Sequence, residues 1–153
     1  MKRLILLIAL LLPFYAMAAA PITTKLLDKY GNDEGVTVVN LEGAMLQAMI
    51  ASELENTEDA ADVAKYLDAI RIITCEEHGL SAKIRKDIDK LIKKLKLQSL
   101  IDMPSEGVKI FTHNEGDVAT SIIVYVIDDE SVVLVDISGK FTPDILNEIV
   151  ESL

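Results

Sequence analysis

Residues 108–138 read VKIFTHNEGDVATSIIVYVIDDESVVLVDIS, and this run specifies a β-meander. Three β-branched stretches, Val108 to His113, Val118 to Ile127 and Ser131 to Ser138, are separated by Asn114-Glu115-Gly116-Asp117 and Asp128-Asp129-Glu130. Connections this short join antiparallel neighbours, because a parallel return needs a crossover of about a dozen residues or more. A helix closes the chain. Thr142 caps it, Pro143 takes the first helical position, and Ile145, Leu146, Ile149, Val150 and Leu153 form its apolar stripe.

Upstream of Pro104 the period changes from two to 3.6. Leu80 to Leu97 is the longest helix, with Leu80, Ile84, Ile88, Leu91, Ile92 and Leu95 on one side. Ile70 to Cys75 reads as a strand. Before it, Asn56 or Thr57 starts a helix whose apolar side is Ala60, Val63, Ala64 and Leu67. Glu42 to Leu54 is a further helix; Ala44, Met45, Ala48 and Met49, with Leu46 and Ile50 beside them, wrap it broadly enough to predict burial against two neighbours. Val36 to Leu41 is the first strand, and Thr23 to Tyr30 a short helix ahead of the Gly31–Gly35 turn. The order α-β-α-α-β-α-β-β-β-α predicts an α+β domain: a single mixed sheet of about five strands, with a C-terminal antiparallel meander and helices mainly on one face.

The first residues, MKRLILLIALLLPFYAMAAA, have the form of a cleavable signal peptide. Lys2 and Arg3 precede nine apolar residues, Leu4 to Leu12, and Ala16 and Ala18 fit the small pockets of a signal peptidase. Cleavage between Ala18 and Ala19 divides the chain into a signal at 1–18 and one domain at 19–153. The apolar run is under half the roughly 20 residues that a membrane span requires. No second stretch approaches that length, so no transmembrane segment is expected in the mature chain.

Loss of Lys2 and Arg3 moves the net charge from −10 to −12. Such acidity argues against nucleic acid as a partner, since that interaction needs a basic footprint. Cys75 is the only cysteine, which excludes an internal disulfide and lies too far along to accept a lipid anchor. The expected location is therefore exported, periplasmic or extracellular, and not lipid-anchored.

Leu26-Leu27-Asp28-Lys29-Tyr30-Gly31, Glu34-Gly35-Val36-Thr37-Val38-Val39, Ile70-Arg71-Ile72-Ile73-Thr74-Cys75-Glu76 and Ser138-Gly139-Lys140-Phe141 together resemble an exported family of Bacteroidota. That family is catalogued as a domain of unknown function (domain-of-unknown-function family 4252). The resemblance spans nearly all of the mature chain and implies a Gram-negative envelope protein. It transfers no active site.

Side chains with chemical potential are few. Cys75 and His78 make a C-x-x-H step, but zinc takes about four ligands, and a thiolate–imidazole pair needs a third group to orient the ring. A thiol packed at the end of a central strand accounts for Cys75 more simply. His113 ends the first meander strand, with no G-x-S-x-G elbow to supply a serine. Asp136 stands mid-strand among Val133, Leu134, Val135 and Ile137, where a water-facing sheet side explains it. Met45 and Met49 lie one turn apart and read as core packing rather than as copper ligands.

The strongest departure from average is electrostatic. Lys83, Arg85, Lys86, Lys90, Lys93, Lys94 and Lys96 crowd into fourteen positions of one helix, giving 83–96 a charge of +5 and leaving −17 for the rest of the mature chain. This face is the candidate partner-binding surface, for an envelope protein, an anionic glycan or lipid headgroup, or another copy of the chain. A solvated face supported by pairs such as Asp89 with Lys93 and Asp87 with Lys90 is the plainer reading. The sequence thus points to an exported, non-catalytic envelope protein that binds a macromolecule or itself, with no cofactor. The alternatives are a small periplasmic hydrolase-like enzyme using His113 or His78, and metal handling through Cys75 and His78.

Overall fold

The computed structural model describes residues 20–53 and 65–152. In chain order the elements are α1 (Pro21–Tyr30), β1 (Val36–Glu42), α2 (Gly43–Glu53), β2 (Leu67–Cys75), α3 (His78–Lys94), β3 (Gln98–Met103), β4 (Val108–Glu115), β5 (Val118–Ile127), β6 (Val132–Phe141) and α4 (Pro143–Ser152). The expected signal peptide and its cleavage point fall outside the described residues, and so does the helix starting at Asn56 or Thr57 except for its end, where Lys65 and Tyr66 are helical. Leu67 begins β2 instead of ending a helix.

The class is α+β, with a single sheet in the order β1-β2-β6-β5-β4-β3. Every neighbouring pair is antiparallel, so the sheet is not mixed. β2 starts beside the end of β1, with Glu42 opposite Ala69. The sixth strand, β3, has no clear period-two signal. A register irregularity between Ser99 and Ile101 lets consecutive Leu100 and Ile101 both pack on the same apolar cluster, which erases the alternation.

Alternation along the strands builds a core on each side of the sheet. On one side, Ile22, Leu26 and Tyr30 of α1 and Ile84 and Ile88 of α3 pack on Ile73, Cys75, Ile123, Tyr125, Val132 and Leu134. Each fully buried Ile or Leu there contributes about 1.5–3 kcal/mol. On the other side, Ile145, Leu146 and Ile149 of α4 pack against Ile110, Ala119, Ile122 and Phe141. Two helices therefore share one face and α4 covers part of the other. The cap expected for α4 is present: Thr142 Oγ1 accepts the Ile145 N–H at 3.5 Å.

Two expectations about burial are overturned. Met45 and Met49 are 65% and 46% exposed, so they do not pack into the core; α2 packs mainly on β1 and β2, and among its residues of described burial Leu46 is the buried one. Asp136 is 1% exposed, not water-facing, because α1 lies across its side of β6.

Candidate partner-binding face

The basic face starts from the phase of α3. Ile84 and Ile88 are buried while Lys83, Lys86, Lys90, Lys93 and Lys94 are exposed, and at 3.6 residues per turn these five lysines share one arc opposite the buried stripe. Lys93 and Lys94 occupy the last turn, where cations complement the exposed carbonyls. The helix then ends in a Schellman motif: Leu97 N–H bonds Ile92 O at 3.1 Å and Lys96 N–H bonds Lys93 O at 3.3 Å. The left-handed position is held by Lys96, at φ 54°, where glycine is the usual residue.

Packing of α1 beside α3 enlarges the face. Lys94 crowds Lys25 of α1, and its charge pushes the Lys25 ammonium below the usual lysine range. One turn on, Lys29 Nζ meets Asp87 Oδ2 at 2.6 Å, and the Tyr30 hydroxyl donates to the same oxygen. The hydrogen bond from Lys29, then that from Tyr30, holds the Asp87 carboxyl below the ordinary aspartate range. Asp87 is thus engaged with α1, not chiefly with Lys90 as a helix-internal pair. Lys29 and Asp87 form an ion pair across the two helices, whereas Asp89 and Lys93 do not form one.

Arg85 stands apart from the lysine arc. It is half-buried, and its guanidinium reaches the carbonyls of Asp128 and Asp129 at 3.4 and 3.5 Å, tying α3 to the β5–β6 turn. Lys25 and Lys29 were not singled out in sequence. Their four-residue spacing is legible, but nothing local says that α1 lies against α3.

The other candidate groups are dispersed. Cys75 is fully buried, with its Sγ 3.7 Å from the Glu77 carbonyl oxygen, while His78 is exposed at the first position of α3. His113 is half-buried on β4, its Nδ1 3.3 Å from Thr120 Oγ1. Through the pairing His113–Ser121–Ser138–Ala69, it lies level with Ala69, six residues from Cys75 along β2. At about 3.4 Å per residue, the two histidines are near opposite ends of the sheet, about 20 Å apart along the strands. A 460 Å³ depression lined by Asp33, Glu34, Gly35, Glu77, Leu80 and Lys83 includes neither histidine. Among the described residues no group of three or more His, Cys, Asp or Glu is placed to hold a metal. No helix there is long and apolar enough to cross a membrane.

Asp136 anchors the start of α1. Its Oδ2 accepts the Ala20 N–H and the Thr23 hydroxyl, both at 3.0 Å, and Ser138 Oγ lies 3.5 Å from Oδ1. By fixing α1, it sets where Lys25 and Lys29 sit beside α3.

No curated protein and no solved structure matches the chain. Residues 30–149, from the end of α1 into α4, match the family described as Domain of unknown function (DUF4252), and the chain belongs to that family.

Proposed function

We propose that this is an exported, non-catalytic binding protein of the cell envelope, whose lysine arc on α3 meets an anionic macromolecular partner: an acidic envelope protein, a glycan or a lipid headgroup layer. The observation that carries this reading is the convergence of like charge. Five exposed lysines share an arc of α3, and Lys25 is brought so close to Lys94 that its ammonium is depressed. Uncompensated repulsion of that kind is relieved when an anion binds, and the acidic remainder of the chain orients the face toward it. Lys96 adds to the charge at this end of the helix, at a left-handed cap where glycine would be less strained.

The depression lined by Asp33, Glu34 and Glu77 includes neither histidine, which favours this reading over a hydrolase built on His113 or His78. Burial of Cys75 away from the exposed His78 does the same against a metal site on that pair.

The test is binding of the chain starting at Ala19 to vesicles rich in anionic phospholipid and to an immobilised acidic polysaccharide, each across a salt series. Binding to one of them that weakens at least tenfold between about 0.05 and 0.5 M salt fits a screened charge contact. Indifference to salt, or equal retention on zwitterionic vesicles and a neutral glycan, counts against it.

Self-association is the second reading, favoured by the β1 edge. Thr37, Val38, Val39 and Asn40 are four consecutive exposed residues on an outer strand with no lysine, proline or bulge to protect it. Val38, Val39, Met45, Met49 and Tyr66, at β1, α2 and the approach to β2, are five of the six exposed large apolar residues among those described.

A further inference from the structure

The two outer strands of the sheet are finished differently. β3 carries a register irregularity between Ser99 and Ile101, exposes the charge of Asp102, and gives way to Pro104 directly after Met103. Each of these discourages a further strand from adding to that edge. β1 has none of them. It runs as Val36–Glu42 in unbroken register with β2, and Glu42 at its end is its one charged residue. Among the described residues, no backbone group outside β2 pairs with Thr37 to Leu41.

An apolar row of the sheet stops at that bare edge. Through the pairings Ile110–Val124, Val124–Val135, Val135–Ile72 and Ile72–Val39, five β-branched residues lie in line across β4, β5, β6, β2 and β1. The row lies on the side of the sheet that carries α4. Ile110 is buried at one end, and Val39 is 40% exposed at the other. On its outer side Val39 has no cross-strand neighbour among the described residues, although such pairs are what stabilise a sheet.

A second copy of β1 supplies that neighbour, because the strand is complementary to itself. Complete antiparallel overlap of Val36–Glu42 with its own copy has a single register, with a two-fold axis at Val39. Val39 of one copy then faces Val39 of the other, and the apolar row continues into the second sheet. Val38 faces Asn40, Thr37 faces Leu41, and each Glu42 faces Val36, so no like charges are opposed. Moving the axis to Val38 shortens the ladder and sets Glu34 against Glu42. Moving it to Asn40 drops Val36 and Thr37 from the ladder.

We propose that two copies pair antiparallel through β1 about an axis at Val39, joining two six-stranded sheets into one continuous sheet. This rests on the self-association reading and deepens it, by naming the strand, the partner and the register. The overlapped strands exchange about six to eight backbone hydrogen bonds. α3 packs on α1 and β6, so the lysine arcs of both copies stay free.

The experiment has two arms, sedimentation of the mature chain and disulfide trapping. Edge pairing buries less than the ~1,200 Å² of a standard stable interface, so dimer is expected to build up between about 10 and 500 µM. Val39→Lys is expected to raise the concentration needed at least tenfold, while the melting temperature in dilute solution moves by only a few degrees. For trapping, Val39→Cys is incubated with oxidised glutathione, which takes the two electrons released as two thiols join. Opposed residues of an antiparallel pair have Cα atoms about 4.5–5.5 Å apart, within the reach of a disulfide. Two copies of Thr37 would be offset by about four residues, roughly 14 Å along the strands, which is beyond it. Val39→Cys is therefore expected to give at least tenfold more covalent dimer than Thr37→Cys. Wild type, whose Cys75 is fully buried, sets the background. A chain that stays monomeric throughout the concentration range, with no cross-link, overturns the proposal and the self-association reading together. A dimer in which Val39→Cys cross-links no better than Thr37→Cys overturns the β1 pairing alone and leaves self-association standing.

Discussion

Gly139 faces Leu67 where β2 and β6 slip out of simple register, and a Cβ there would lie 1.9 Å from the Tyr66 carbonyl oxygen. That oxygen is backbone and cannot step aside cheaply. Gly139→Ala should therefore destabilise the protein by about 2–3 kcal/mol in chemical denaturation, within the range for forced overpacking. Lys96 offers the opposite case. Its φ of 54° strains any residue bearing a Cβ, so Lys96→Gly is expected to gain about 1 kcal/mol while weakening anion binding. Tyr125 is fully buried, and its hydroxyl has no hydrogen-bond partner. Burial, then the nearby Asp89 charge, pushes that phenol well above the usual tyrosine range. Tyr125→Phe removes an unsatisfied polar atom and should leave stability unchanged or raise it by about 1 kcal/mol, read from a urea midpoint.

Between elements, the contact that sets the basic face is the α1–α3 clasp of Lys29, Tyr30 and Asp87. Asp87→Asn should lower the melting temperature near neutral pH. The folded-state carboxyl is held below its ordinary value, so its contribution is present above the unfolded pKa of about 3.9 and fades as pH falls through the lower folded value. Wild type and variant should accordingly converge in melts below about pH 3. The same clasp marks the limit of what local pattern reveals. The meander, the long α3 and the capped α4 were legible because turns, a 3.6 period and Thr142-Pro143-Asp144 act over short range. β3 was hidden by its irregular register, and the burial of Asp136 depends on α1 arriving from 113 to 116 residues away. Met45 and Met49 misled for a related reason: an apolar helix predicts cover, but α2 receives none over most of its surface. Of the candidate site, the lysine arc was readable from spacing, whereas Lys25 and Lys29 joined it only through packing.

At the scale of the whole molecule, charge and exposed apolar surface are segregated. The lysines lie over the α1–α3 side, while Val38, Val39, Met45 and Met49 expose apolar area around the β1 edge. If that edge joins copies, Val38→Lys should turn an assembled species into monomer in sedimentation, since an edge lysine blocks strand addition. Anion binding should be untouched by that change. The acidic remainder of the chain also predicts an association rate with an anionic partner that depends steeply on salt, because the attraction comes chiefly from the lysines of the α1–α3 side. The most direct test of the binding account replaces Lys86, Lys90, Lys93 and Lys94 by glutamate and compares capture from an envelope fraction with that of wild type. The account predicts that components retained by wild type fall at least tenfold while the melting temperature moves by only a few degrees. Capture of the same components at the same level by the folded variant would contradict it.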